Sequence, residues 1–165
     1  MAYFIIVRGP LGCGKSTITK MLAKKLKAKY ISIDDVLEKN RLDDIDPKIG
    51  CIPANNFIKA NEMVLQKVRR DLDGGKVVIF DACFYHKEPI EHLIKELPYK
   101  GFVFTLKAPL ETCIERDRKR GKTHGETAAR DVHRLVSRFD YGTVIDVTRP
   151  IEVSVNDIIS YLPKK

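Results

Sequence analysis

The sequence predicts an α/β fold in which one open parallel sheet carries helices on both faces. Five short apolar runs alternate with segments of helical periodicity along the 165 residues, an order typical of parallel sheets with right-handed connections. A glycine-rich turn joins the first apolar run directly to the first helix. Hydrophobic residues make up 44% of the chain, which is enough to build a buried core.

In chain order, the first strand (3–7) is the apolar run YFIIV, and the first helix (16–26) follows the glycine-rich turn. The second strand (30–33) ends at two adjacent aspartates. The polar stretch 38–56 contains two prolines and a glycine and is long for a loop in a small domain, and loops of that kind often carry function. Apolar residues at helical spacing predict a helix over 57–72, which a pair of glycines ends.

The second half of the chain continues this alternation. The continuous apolar run VVIF predicts a buried strand, and Pro109 opens a helix at the first-turn position that proline tolerates. A break flanked by glycines, 121–125, separates that helix from the next. The predicted strands here are 77–80, 101–106 and 143–147, and the predicted helices are 89–97, 109–120, 126–138 and 155–162.

Composition favours a single domain over 1–165 in a cytoplasmic protein. No apolar run approaches the roughly 20 residues that a membrane-spanning helix needs. The four cysteines show no metal-ligand spacing, which indicates reduced thiols. Thirty Lys and Arg against 22 Asp and Glu give a net charge of +8. That charge fits either a solubility surface or a polyanionic substrate.

The most specific motif is GPLGCGKST at 9–17, between a predicted strand and a predicted helix. Its glycines let the backbone bend so that N–H groups cradle a polyphosphate, beside the positive end of the helix. Lys15 is predicted to reach the β- and γ-phosphates, and the hydroxyl of Ser16 to bind Mg²⁺. The loop residues expected to bind a nucleoside triphosphate are Gly9, Gly12, Cys13, Gly14, Lys15, Ser16 and Thr17.

Acidic residues follow two of the predicted strands. Asp81 ends the run VVIF, where a carboxylate can orient Mg²⁺ beside Ser16; the alternative is a turn or N-cap aspartate. Asp34 and Asp35 follow the second strand, and a carboxylate at an acceptor hydroxyl can take its proton. We expect Asp34 to be this general base. The alternative is that one of the pair caps a following helix, 36–40.

The densest basic run closes the helix before the glycine-flanked break. Arg116 and Arg120 are spaced i, i+4 and share one face, so they can clamp phosphate oxygens during transfer. Both are expected to be catalytic, and Arg116 to contact the nucleotide as well. Gly121 and Gly125 suit the hinges of a lid over about 116–130 that excludes water. The alternative is a set of cations that complements the helix C-terminus.

Together the motifs GPLGCGKST, ISIDD, VVIFDA and ERDRKRG resemble those of the small P-loop kinases of the zeta-toxin and polynucleotide-kinase-like group, which also includes adenylyl-sulfate, gluconate, shikimate and chloramphenicol kinases. The resemblance implies the three-layer P-loop NTPase fold, with strand order 2-3-1-4-5 and a helical lid. It also implies phosphorylation of a hydroxyl by Mg-ATP, with 146–150 lining the adenine pocket. One departure is that Val36 and Leu37 follow the aspartate pair, where polynucleotide kinases usually place an arginine.

The function expected from these features is ATP-dependent transfer of the γ-phosphate to an acceptor hydroxyl, with Mg²⁺. The basic lid and the net charge favour a 5′-hydroxyl of RNA, DNA or a nucleotide, and the alternative acceptor is a small metabolite or a nucleoside monophosphate. A nucleotide-dependent switch or assembly ATPase is an alternative of another class. The Asp34–Asp35 pair speaks against a switch, because a switch needs no acceptor base. A toxin-like kinase of a sugar nucleotide is a third alternative.

Overall fold

In the computed structural model, which describes residues 1–121 and 125–164, five strands form one parallel sheet in the order β2-β3-β1-β4-β5. The strands are β1 (Tyr3–Arg8), β2 (Lys29–Ser32), β3 (Val78–Ala82), β4 (Lys100–Lys107) and β5 (Thr143–Asp146). The helices are α1 (Lys15–Leu26), α2 (Ile33–Lys39), α3 (Ala54–Asp73), α4 (Lys87–Glu96), α5 (Leu110–Lys119), α6 (Glu126–Val136) and α7 (Ile151–Ser160). The predicted fold class and strand order are confirmed.

The central strand β1 divides the core into two layers, because successive side chains of a strand point to opposite faces. Phe4 and Ile6 pack on the face that carries α2, α3, α4 and α6. Tyr3, Ile5 and Val7 pack on the other face, with α1, α5 and α7. All six residues of β1 are buried, so the phosphate loop directly follows a strand held on both faces by the core.

The longest helix, α3, spans 20 residues, or about 30 Å at 1.5 Å per residue. Its buried apolar residues form one stripe at helical spacing, which fixes its orientation on the sheet. At its first turn Phe57 packs edge-to-face on Phe84 and Tyr85, with ring centroids 5.8 and 5.3 Å apart. This aromatic cluster closes the space beyond the carboxyl end of β3.

Two element boundaries differ from prediction and move the acidic residues. The strand β2 ends at Ser32, whose Oγ accepts a hydrogen bond from the backbone N–H of Asp35 at 3.2 Å. Serine is a preferred N-cap, so α2 begins early and carries Asp34 and Asp35 in its first turn. The idea that one of the aspartates caps the helix is therefore wrong. Likewise β3 pairs with β1 through Asp81, so this residue lies within the strand rather than after it.

The polar stretch before α3 is shorter than predicted, because Pro53 serves as the N-cap residue of α3 and leaves 40–53 between the helices. An antiparallel bridge joins Asp46 to Cys51. The backbone N–H of Ile52 donates to the hydroxyl of Tyr85 at 3.0 Å. These contacts anchor the 40–53 segment against the carboxyl end of β3.

The predicted lid region consists of the end of α5, the start of α6 and the turn between them. Gly121 adopts a φ of +67°, which suits glycine at a helix end. The side chains of Arg118 and Arg130 both donate to Glu126, at 3.3 and 2.8 Å. The central part of the predicted hinge, 122–124, lies outside the described residues.

The four cysteines are free and buried, in agreement with the predicted thiols. In the described parts of the chain, no helix combines the length and the apolar character that crossing a membrane requires.

Candidate active site at the phosphate loop

The turn between β1 and α1 follows the geometry that its glycines allow. Gly12 and Gly14 adopt φ values of +77° and +91°, where glycine carries no steric penalty. A Cβ atom on Gly12 would lie 2.2 Å from the carbonyl oxygen of Cys113, so α5 approaches the loop too closely for any side chain. Helix α1 begins at Lys15 with no acidic residue in its first turn. Its positive end therefore faces the loop without a local counter-charge.

The side chain of Lys15 lies in a buried network below the loop. Its Nζ is 2.6 Å from Oδ1 of Asp81, and the two side chains are only 8% and 2% exposed. The other oxygen of Asp81 accepts hydrogen bonds from Thr19 and Tyr30. Protein groups thus occupy both carboxylate oxygens of Asp81: Lys15 contacts Oδ1, and Thr19 and Tyr30 donate to Oδ2.

The pKa values of this pair move in opposite directions. Burial opposes the charge of Lys15, but the nearby carboxylates of Asp81 and Asp34 outweigh it and hold the pKa of Lys15 well above its ordinary value. Burial likewise opposes the charge of Asp81, and the charge of Lys15 outweighs it, so the pKa of Asp81 lies below its ordinary value. The pair is therefore fully ionised at neutral pH.

The two members of the aspartate pair occupy different positions. Asp34 is half-buried, with Oδ2 3.6 Å from Nζ of Lys15 and Oδ1 accepting a hydrogen bond from the backbone N–H of Cys83 at 3.4 Å. Asp35 is exposed and lines the same cavity. Its backbone, rather than its carboxylate, makes the contact that starts α2. The geometry thus distinguishes Asp34 as the acid that faces the phosphate loop.

The two lid arginines have different surroundings, and their predicted clamping of phosphate oxygens stays a prediction. Arg116 donates from Nη1 to the carbonyl oxygen of Cys13 at 2.9 Å and so ties α5 to the loop backbone. Arg120, one turn later, lines the cavity. Arg120 is the C-cap residue of α5, and of the two arginines it alone lines the space in front of the loop.

Three residues of the phosphate loop that were predicted to bind the nucleotide lie outside the cavity lining. The side chain of Cys13 is fully buried in the core, and the residue lies outside the cavity lining. A Cβ atom on Gly9 would lie 3.0 Å from the Sγ of Cys13, so Gly9 is needed for this packing and lies outside the cavity lining. Thr17 is exposed on α1 and also lies outside that lining.

A cavity of about 480 Å³ opens in front of the loop, a volume typical of small-molecule sites. Its inner part is formed by the loop, Asp34, Asp81, Asp117 and Arg120. Its outer part, which we call the outer chamber, comes from α2, α3, α6, the 40–53 segment and Tyr85, three residues after β3. The outer chamber is lined by Asp35, Leu37, Glu38, Asp43, Ile45, Ile52, Phe57, Tyr85 and Val132.

The residues present suit a magnesium ion that is held chiefly by its substrate. In the described residues no three His, Cys, Asp or Glu side chains are grouped to hold a metal ion by themselves. The hydroxyl of Ser16 lies at the start of α1 and lines the cavity with Lys15. Mg²⁺ commonly takes only one or two protein ligands when phosphate oxygens and water complete its shell, and this donor set fits that pattern.

The chain is similar to proteins of a known family. The family model described as AAA domain matches residues 5–136. The chain belongs to this family of P-loop kinases. Shikimate kinase from Francisella tularensis subsp. holarctica is 32% identical over 115 residues, covering 70% of this chain and 63% of the relative. The chain thus spans less than two thirds of the length of that relative. Shikimate kinase from Actinobacillus succinogenes is 28% identical, with 96% and 94% covered.

Solved structures of small kinases share the fold of this P-loop kinase family member. A gluconokinase from Sinorhizobium meliloti has a TM-score of 0.68 at 17% identity, covering 94% of this chain and 89% of its own. The APS kinase from Mycobacterium tuberculosis, in complex with AMPPNP and APS, has a TM-score of 0.73 at 16% identity, with 96% of each chain covered. At these identities the similarity establishes the fold.

Sequence reasoning missed the residues that hold Asp81. Thr19 lies four residues after Lys15, on the same face of α1, and that spacing was visible in the sequence. Tyr30 pairs in register with Ile79, so it shares a sheet face with Asp81 two residues further on. This second relation needs the strand pairing, which the sequence alone does not contain.

Proposed function

We propose that the chain is an ATP-dependent kinase that transfers the γ-phosphate to a hydroxyl group of a small molecule. The observation that carries the proposal is that one cavity contains both the phosphate loop with Lys15 and the carboxylate of Asp34, with 3.6 Å between Nζ and Oδ2. Transfer to an alcohol needs the donor phosphate beside a carboxylate that can take the proton of the acceptor hydroxyl. A nucleotide switch has no need of the second group.

Each side chain has a role that follows from its position. The loop N–H groups and Lys15 bind the donor phosphates, and Arg120 faces the phosphate in transfer. Arg116 holds the loop through the carbonyl of Cys13. Mg²⁺, held by Ser16 and phosphate oxygens, offsets the charge of the phosphates. Asp34 orients the acceptor hydroxyl and takes its proton.

Asp81 supports this arrangement from below. Its contact with Lys15 at 2.6 Å keeps the ammonium group charged and fixed beneath the loop. The predicted role of Asp81 beside the metal ion stays a proposal: its carboxylate would hold the water shell of Mg²⁺ if bound phosphates drew Lys15 away. The kinase is proposed to work as one domain, with 116–130 as its lid and 146–150 beside the adenine.

A small acceptor has more support than a polynucleotide end. The cavity is bounded by the 40–53 segment and the aromatic cluster of Phe57 and Tyr85, so it has the dimensions of a small-molecule pocket. Much of the basic run is paired locally: Arg118 and Arg130 with Glu126, and Lys119 with Glu115. Similarity to proteins named shikimate kinase and gluconokinase favours a small-molecule acceptor over a polynucleotide end.

The test is phosphate transfer from γ-labelled ATP with Mg²⁺ to a pool of small hydroxyl compounds. Lys15→Ala should abolish transfer, because the donor phosphates lose the charge that binds them. The matched control is Lys24→Ala on the exposed face of α1, which should keep full activity. Near-normal transfer by the Lys15→Ala protein, with its fold verified by circular dichroism, would contradict the assignment of the loop.

A further inference from the structure

We infer that the acceptor is an alcohol without a carboxylate or phosphate group, either uncharged or bearing an amine, with an apolar face. This inference rests on the proposed function and deepens it, since it names the class of acceptor for the same cavity. It comes from the chemistry of the outer chamber: acidic groups at its edge, apolar walls, and no cation among its described lining residues.

The charges around the cavity are strongly asymmetric. The outer chamber contributes the carboxylates of Asp35, Glu38 and Asp43, and Asp34 adds another at its inner limit. Among the described residues that line the whole cavity, only Lys15 and Arg120 are basic. Lys15 is paired with Asp81 and lies below the loop. The proposed function assigns both cations to the donor phosphates, and bound ATP would make the cavity more negative still.

Among the described residues that line the chamber, an anionic group on the acceptor would find no cationic partner. A carboxylate or phosphate there would face the acids of α2 and the 40–53 segment and would be repelled by them, with bound ATP adding to the repulsion. Beside the chamber, Arg138 donates from Nη2 to the backbone oxygen of Tyr85 at 3.3 Å. That contact places its guanidinium outside the lining of the chamber.

The walls of the chamber indicate the shape of the acceptor. Its apolar lining residues are Leu37, Ile45, Ile52, Phe57, Tyr85 and Val132. The hydroxyl of Tyr85 already accepts a hydrogen bond from the backbone of Ile52. Ile45 is 64% exposed, although it lies beside a wall of large apolar side chains. An acceptor with an apolar face would cover Ile45, so that its binding removes from water the apolar surface that is exposed in the free protein.

The experiment uses the full chain with Mg²⁺ and γ-labelled ATP. A deproteinised small-molecule extract is separated by ion exchange at neutral pH into anionic, uncharged and cationic fractions, and each is offered as acceptor. Shikimate, gluconate and AMP serve as defined anionic probes, and adenosine, glucose and glucosamine as uncharged or cationic ones. The readout is label in a product other than inorganic phosphate.

The possible results separate the inference from the proposed function. Label in the uncharged or cationic fraction supports both. Label chiefly in the anionic fraction, or on shikimate, gluconate or AMP, upholds the kinase and overturns the inference. No label in any fraction contradicts the proposed function, and the inference falls with it.

Matched variants then test whether the outer chamber holds the acceptor. Ile45→Ser should raise the KM of the labelled acceptor about fivefold and leave the KM of ATP unchanged. Ile49→Ser is the control, because Ile49 is similarly exposed, at 53%, but lies outside the lining. For an amine-bearing acceptor, Asp43→Asn should raise KM by a similar factor, whereas Asp44→Asn should not. Equal effects of variant and control would overturn the assignment of the chamber.

Discussion

At the residue scale, the position of one carboxylate decides whether the phosphate loop serves transfer or only binding. Asp34 lies 3.6 Å from Lys15, whereas the carboxylate of Asp35 has no such described contact. We predict that Asp34→Asn lowers kcat by roughly two orders of magnitude, because the acceptor hydroxyl loses its base, and leaves ATP affinity intact. The measurement is steady-state transfer together with calorimetric titration of an ATP analogue.

The matched control is Asp35→Asn, which removes the same charge from the neighbouring position. We expect it to change kcat less than about threefold, because its carboxylate neither caps α2 nor contacts Lys15. If Asp35→Asn produces the large loss and Asp34→Asn does not, the base has been assigned to the wrong member of the pair.

The ion pair of Asp81 and Lys15 predicts a pH profile of stability. The pKa of Asp81 is lowered from 3.8, so its contribution is present above that pH and is lost as the pH falls through the folded value. The pKa of Lys15 is raised above 10.5, so its contribution is lost only above that pH. Asp81→Asn should cost about 3 kcal/mol of unfolding free energy at neutral pH, because it leaves a buried charge unpaired.

The difference between wild type and Asp81→Asn should therefore be constant from about pH 5 to about pH 9 and shrink below pH 3.8. Denaturant unfolding at a series of pH values measures it. A difference that grows on acidification would show that the pair does not supply the stability assigned to it.

At the element scale, the contact between α5 and the phosphate loop depends on the absence of a side chain at Gly12. Gly12→Ala places a Cβ atom where the carbonyl oxygen of Cys113 lies, 2.2 Å away, and imposes an unfavourable φ of +77°. We expect it to displace α5, lower the unfolding free energy by at least about 2 kcal/mol and raise the KM of ATP tenfold or more. Thermal melts and transfer kinetics measure the two effects.

Gly121→Ala separates backbone strain from this steric overlap. Gly121 has a similar φ of +67°, but no described atom outside its chain neighbours lies within 4 Å of an added Cβ atom. The substitution should cost about 1 kcal/mol and leave the KM of ATP unchanged. Equal losses for the two alanine variants would mean that the close approach of α5 is unimportant.

Arg8 joins β1 to the segments on both sides of the site. Its guanidinium is fully buried and donates to the carbonyl oxygens of Phe84, Val136 and Phe139 at 2.9 to 3.0 Å. Burial lowers the pKa of Arg8 to about 10, which still leaves it charged at neutral pH. Arg8→Met should cost about 3 kcal/mol or more, because three carbonyl groups lose their donor.

This loss corresponds to a fall in Tm of roughly 6 to 12 °C for a domain of this size. The control is Arg70→Met. Because Arg70 is exposed, this substitution should change the unfolding free energy by less than about 0.5 kcal/mol. Similar Tm values for Arg8→Met and the wild type would refute the assigned role.

The elements also show which structural features can be predicted from the sequence. The phosphate loop and its flanking strand and helix are local, so hydrophobic pattern and glycine spacing predict them. The ends of β2 and β3 were misplaced, because Ser32 caps α2 and the pairing of β3 with β1 extends through Asp81. Neither effect appears in hydrophobic periodicity alone. The contacts of Tyr30 and Arg8 depend on strand register and could not be predicted.

At the scale of the whole molecule, the arrangement of charge matters more than its sum. The net charge of +8 suggested a polyanionic acceptor, yet the outer chamber is acidic and apolar. Net charge adds all residues together, whereas the fold brings α2 and the 40–53 segment to one side of the loop. Pairings such as those of Glu126 with Arg118 and Arg130 further reduce the free positive charge of the lid region.

The most direct test of the central claim compares acceptors under one set of conditions. Wild type and Asp34→Asn are incubated with γ-labelled ATP and Mg²⁺, with either an unfractionated small-molecule extract or a 5′-hydroxyl RNA. The account predicts label in a small, nuclease-resistant product that the extract supplies and that Asp34→Asn largely abolishes. Label on the RNA end would contradict the small acceptor. Release of phosphate at a rate that no acceptor changes would contradict the kinase.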